Sequence, residues 1–94
     1  MARPELERIR DAVLDGHYVL TEHAFEEMNN DSLDVLDVES ALLTGEIDRV
    51  LTKDPRGTRF VIIGGATDLE TQVAVVVRFV EYDQILVLTV YEVK

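Results

Sequence analysis

Tyr18-Val19-Leu20-Thr21-Glu22-His23-Ala24, with Met28 one helical turn further on, is the stretch on which the reading of this chain turns. Tyr18-Val19-Leu20 reads as a short extended lead-in. Thr21 follows with a hydroxyl suited to the N-cap of a helix, since a side-chain oxygen there accepts one of the first unpaired backbone N–H groups. That helix is expected from residue 22 to 29 or 30, with Ala24, Phe25 and Met28 as its apolar stripe. Upstream, Leu6, Ile9, Val13 and Leu14 share one helical face between residues 4 and 15. Pro4 suits the first helical position and Gly16 a C-terminal stop. Downstream, Asn29-Asn30-Asp31-Ser32 is turn chemistry. Asp34 then caps a third helix, with Val35, Val38, Ala41 and Leu42 inward and Gly45 at its end.

From Glu46 onward the hydrophobic period changes from 3.6 to 2. Residues 47–51, 59–63, 72–80 and 84–93 read as strands. They are joined by turns at Lys53-Asp54-Pro55-Arg56-Gly57, Gly64-Gly65-Ala66-Thr67-Asp68 and Glu81-Tyr82-Asp83. Short connections favour antiparallel neighbours. The last two strands are nearly continuous in Val, Ile and Leu, which implies burial on both faces or a central place in the sheet. The expectation is one α+β domain spanning residues 1–94, with three N-terminal helices packed on one face of a four-stranded antiparallel sheet.

The composition narrows the function classes. A chain of 94 residues, 47% hydrophobic, supports one modest core. With no cysteine, disulfides and thiolate metal sites are excluded. No apolar run reaches about 20 residues, so no membrane-spanning helix is expected. Met1-Ala2-Arg3 leads directly into a charged helical pattern rather than a secretory leader; a cytoplasmic location is the expectation. The net charge is −10. Residues 1–45 hold eleven Asp/Glu against three Arg, and residues 46–94 hold eight against six Lys/Arg. Affinity for a phosphate backbone comes largely from Lys and Arg displacing counterions. Binding of nucleic acid by this domain alone is therefore not expected.

The ordered set Tyr18 to Ala24, Met28, Leu42-Leu43-Thr44-Gly45-Glu46-Ile47, Gly64 and Thr89-Val90-Tyr91-Glu92 resembles domain-of-unknown-function family 4258 over most of the chain. That family is similar to the RelE/ParE-type toxins, some of which cleave messenger RNA while others act as binding modules. The resemblance implies a toxin-like fold without an activity, because fold and function separate easily. Many members read His-Ala-x-x-Arg-Met-x-x-Arg. Here the two arginine positions are Glu27 and Asp31, both reversals of charge.

His23 stands one helical turn from Glu27. A histidine beside a carboxylate can exchange protons with a substrate; it can equally anchor the Tyr18 segment. One His–Glu pair supplies two ligands at most, whereas zinc takes three or four, so no metal is expected. Asp31, Asp34, Asp37 and Glu39 do not fit a calcium loop and read as caps and solvated helix face. Arg49, Lys53, Arg56 and Arg59 cluster around the first hairpin, with Arg78 on the following strand. In an RNA-cleaving reading Arg59 and Arg78 would clamp the phosphate, with His23 or Tyr91 moving protons. Otherwise these cations pair with the surplus carboxylates or blunt a sheet edge. Tyr18 and Tyr91 either present hydroxyls to a ligand or cover the core margin. Gly64-Gly65 lacks the partners of a phosphate loop, and no cofactor fingerprint exists. The leading expectation is a non-catalytic domain that binds another macromolecule through its exposed sheet edges and acidic helices, with Tyr18, Glu27, Arg49, Lys53 and Arg56 at the interface. The partner would be a second copy or a basic protein. The runner-up is an endoribonuclease using His23, Arg59, Arg78 and Tyr91. A third reading is a small-molecule or metal sensor at His23.

Overall fold

The computed structural model describes residues 4–94, the side chain of Tyr82 excepted. Met1-Ala2-Arg3, read above as no leader, lies outside the described residues. Three helices, α1 (Glu5–Leu14), α2 (Glu22–Asn30) and α3 (Val35–Thr44), precede most of the sheet. The strands are β1 (Tyr18–Leu20), β2 (Glu46–Leu51), β3 (Arg59–Gly65), β4 (Gln72–Phe79) and β5 (Ile85–Val93), in the spatial order β1-β5-β4-β3-β2.

The sheet is therefore five-stranded and mixed, not four-stranded and antiparallel. β2, β3, β4 and β5 form the expected antiparallel meander, but β1 joins it parallel to β5, pairing Tyr18 with Ile85 and Leu20 with Val87. Three residues are too few to display a period of two, and a parallel partner so distant in sequence leaves no turn signal between them. The α+β class stands. β4 occupies the centre of the order, which accounts for its unbroken valine run.

The helices share one face of the sheet. Ile9, Val13, Ala24, Met28, Val38 and Leu42 form a single buried cluster with Phe60, Ile62, Val73, Val75, Val77, Ile85, Val87 and Val90. Both sequence-predicted caps hold. Thr21 Oγ1 accepts from Ala24 N (3.1 Å), and Asp34 with Asp37 makes a reciprocal capping box. Gly64 was read as part of a turn; it lies in β3, where α3 needs it bare. A Cβ there would sit 2.2 Å from the Ala41 carbonyl oxygen, and one on Gly45 would sit 2.5 Å from the same atom. Helix and strand meet backbone to backbone.

The opposite face carries no helix. Direct cross-strand partners put their side chains on the same face, so the register lays out three rows. Leu51, Arg59, Arg78, Leu86 and Val19 form the first; Arg49, Val61, Val76 and Thr89 the second; Glu46, Ile63, Ala74 and Tyr91 the third. Val61 and Ala74 are buried even so, sheltered by their longer neighbours.

α2 also seals an edge. β1 covers β5 only as far as Val87, leaving the outward N–H groups beyond it unpaired by any strand. Val90 N–H donates to Glu27 Oε1 (3.2 Å), and Glu92 N–H to Asp31 Oδ2 (2.9 Å). The spacings match: four helical residues advance about 6 Å and two strand residues about 6.8 Å. Thr21 Oγ1 donates to the Leu88 carbonyl (3.2 Å) one rung earlier.

Two substitutions test this construction. Gly64→Ala is expected to destabilise by about 1–3 kcal/mol, read from the denaturant midpoint, because backbone on both sides must move. Glu27→Ala and Asp31→Ala should each lose about 1–3 kcal/mol and accelerate amide exchange at Val90 or Glu92 respectively, while amides in the middle of β4 keep their protection.

Candidate functional site

The loop between β2 and β3 closes over an open cavity of about 520 Å³, lined among others by Val50, Lys53, Asp54, Pro55, Arg56 and Arg59. Three of the five cations predicted around this hairpin thus share one concavity. Asp54 organises it. Its Oδ1 accepts from the Arg56 backbone N–H (2.9 Å) and from Arg56 Nε (3.2 Å), and its Oδ2 lies 3.4 Å from Arg59 Nε. The Arg56 hydrogen bonds hold the Asp54 carboxyl below the ordinary aspartate range, with the charges of Arg56 and Arg59 adding to them. The contact with Arg59 is an ion pair by distance but misses hydrogen-bond geometry, and Arg59 Nε is left buried without an acceptor.

Arg78 is the direct cross-strand partner of Arg59. Its stem runs beneath Gly57: a Cβ on that glycine would lie 3.3 Å from Arg78 Cδ, and Gly57 has a φ of +131°, a conformation suited to glycine. Among the described residues Arg78 Nη1 is buried without a hydrogen-bond partner, and no ion pair holds the side chain. Arg49 points to the same face one row along and pairs with the adjacent Asp48 at 3.5 Å.

The other predicted residues lie elsewhere. Tyr91 shares the open face, but its row is four β4 residues from that of Arg78, about 13 Å along the strand. His23 is on α2, beyond the outer edge of β5. Its Nε2 is 3.2 Å from Glu27 Oε1, the same oxygen that accepts from Val90 N–H. Among the described residues no hydrogen bond or ion pair links His23 or Tyr91 to either arginine. Tyr18 is turned to the helical side, where its hydroxyl donates to Glu39 Oε2 on α3. Burial, then that hydrogen bond and the Glu39 charge, push its pKa up to about 12. Asp37 accepts from the backbone N–H and hydroxyl of Thr67 (3.0 and 2.7 Å), and those bonds lower its pKa. Among the described residues no three His, Cys, Asp or Glu side chains are grouped to hold a metal ion.

Reasoning from sequence found the His23–Glu27 pair but missed the bonds that Glu27 and Asp31 make to the edge of β5. A pair of carboxylates at i and i+4 facing a strand edge is a recognisable signal, since a carboxylate only accepts and an unpaired strand N–H only donates. A guanidinium at either position could not make these bonds. Asp54 was also overlooked, although Asp-Pro-Arg-Gly in a hairpin places its carboxylate among the cations.

Residues 20–92 match the family described as Domain of unknown function (DUF4258). The chain belongs to that family. No curated protein and no solved structure matches it. The family match covers α2, α3 and the whole meander but begins at the last residue of β1, leaving α1 outside. Within this DUF4258 domain no helix among the described residues is long and apolar enough to cross a membrane.

The Tyr18–Glu39 bond makes a prediction about alkaline stability. The folded state holds the phenol proton more tightly than the unfolded chain, where the pKa is about 10. Its stabilisation is therefore complete below pH 10 and is lost as pH rises toward 12. Tyr18→Phe should flatten that part of the stability profile; an unchanged slope between pH 10 and 12 would show that another group sets it.

Proposed function

We propose that this DUF4258 domain is a non-catalytic binding module that docks a second protein on the helix-free face of its sheet. One observation carries the reading: on that face Val19, Leu51, Ile63 and Leu86 reach the surface around the buried Val61, Ala74 and Val76, an apolar field bordered by Arg49, Arg59, Arg78 and Tyr91. Helices cover one face of β4; on the other, Ala74 and Val76 are buried only by the side chains around them, a thin cover for a strand whose sequence suits burial on both faces. A partner supplies the second cover. Its complementary surface is apolar with an acidic margin, set against the arginine end of the face. The expected basic partner would instead engage the acidic helices, where the exposed Leu14, Phe25 and Leu36 lie on three different helices.

The endoribonuclease reading rests on the proposed kinship with RelE/ParE-type toxins and on the arginines. Its general acid and base are the difficulty. His23 is engaged with Glu27 beyond the sheet edge, and Tyr91 is two rows from the clamp. A net charge of −10 opposes a polyanion.

A photo-crosslinking amino acid at position 91, compared with one at Leu36 on the outer side of α3, distinguishes the readings in cells. A discrete protein adduct formed only from position 91 is expected, together with normal growth on overexpression. Adducts sensitive to ribonuclease, or growth arrest abolished by Arg59→Ala, would turn the assignment to the nuclease. No adduct at position 91 would remove the docking face.

A further inference from the structure

Arg59 and Arg78 stand directly opposite each other on the two inner strands of the meander. Like charges in that relation repel and destabilise a sheet. The chain holds nineteen carboxylates against nine Lys and Arg, so counter-charges are abundant. Yet among the described residues Arg78 has no ion pair, and Arg59 has only an angularly poor share of Asp54. On the helical side Arg8 pairs with Asp83 at 2.5 Å and stacks over Phe79, and Arg10 donates through Nη2 to the Gly45 carbonyl (2.8 Å), although its Nε is also buried without an acceptor. A buried N–H without an acceptor loses its hydrogen bond to water and gains none in return. Two such groups on facing guanidiniums, Arg59 Nε and Arg78 Nη1, mark a place where an acceptor is missing.

Asp54 indicates what that acceptor is. It already acts as an internal carboxylate at one side of the pair, with its Oδ1 committed to Arg56. The remaining demand is for oxygen carrying negative charge, with access through the cavity that Arg59 lines. Gly57, with no side chain, lies against the stem of Arg78, the cross-strand neighbour of that lining arginine. Guanidinium groups match such oxygens with two parallel N–H donors.

We infer that Arg59 and Arg78 form an oxyanion site that takes one carboxylate or phosphoryl group, delivered by a side chain of the docked partner. This rests on the docking face proposed above and specifies the anchor at its arginine end. A single acidic side chain is favoured over a nucleic-acid backbone, because one charge can be neutralised locally while a polyanion meets the whole acidic surface.

The test uses the full chain and simple probes. Arginine Nε–H resonances are followed by NMR while acetate or inorganic phosphate is added at constant ionic strength. Saturable shifts at Arg59 and Arg78, with Arg8 and Arg49 unmoved, are expected. Response to acetate assigns a carboxylate, and response to phosphate alone assigns a phosphoryl group. Arg78→Gln should weaken binding about tenfold or more and, without added anion, raise the melting temperature by relieving the repulsion. Shifts that grow linearly and equally at all arginines, or an Arg59 response unchanged in Arg78→Gln, would overturn the site. Because the titration needs no partner, its failure leaves the crosslinking result at position 91 to decide the docking face separately.

Discussion

The two carboxylates that α2 lays along β5 are the constraint on which the rest of the architecture depends. An antiparallel meander exposes two edges, and an unpaired edge invites another strand. Here one edge is closed in two stages. β1 pairs with the first part of β5, and Glu27 and Asp31 take over where β1 ends. The match between one helical turn and two strand residues lets a helix imitate a sixth strand on that side. His23 adds to the same oxygen of Glu27, so the residue with the most reactive side chain in the opening motif belongs to the edge seal.

Closing this edge also limits which surfaces of the sheet stay uncovered. With α2 committed to β5 and α3 pressed backbone to backbone on β3 through Gly45 and Gly64, the helical layer has little freedom to move across the sheet. What remains open is the reverse face, the outer edge at β2 and the short outer edge of β1. The β2 edge is interrupted by a bulge between Ile47 and Arg49 and carries Asp48 and Arg49, features that discourage strand addition. The reverse face has no such defence. Its small central residues, Val61 and Ala74, lie between larger neighbours, and its cations gather at one end.

Much of this was legible in the sequence, and the parts that were not share a cause. Thr21 and Asp34 announce their helices because capping is local chemistry. The meander strands announce themselves as runs of six to nine residues rich in Val, Ile and Leu between turns. β1 is too short to show a period, and its partner lies at the other end of the chain. Gly64 resembles a turn residue because the reason for it, the Ala41 carbonyl, belongs to a distant helix. The hairpin arginines were visible as a cluster, but their facing arrangement depends on the register across the loop between β3 and β4. That register is set by Asp68, which accepts from the N–H groups of Glu70 and Thr71 and from the Thr71 hydroxyl, and by Ala66 N–H bonding to the Thr71 carbonyl.

Charge reversal at positions 27 and 31 acquires a different meaning once the edge is considered. Read as surface electrostatics, Glu27 and Asp31 subtract two cations from a supposed phosphate site. Read as hydrogen-bond chemistry, they supply acceptors that a cation cannot. The second reading separates two questions that the sequence had joined. Loss of arginine from α2 says how this chain finishes its sheet, and it leaves the anion chemistry of the other face untouched. That chemistry resides with Arg59 and Arg78, two strands away, where Asp54 satisfies one guanidinium in part and nothing satisfies the other. An acidic protein that leaves one arginine unpaired in the middle of its sheet has kept a specific attraction where its overall charge would repel. A single carboxylate brought in on an apolar surface meets that attraction at short range, whereas a long polyanion meets the repulsion first.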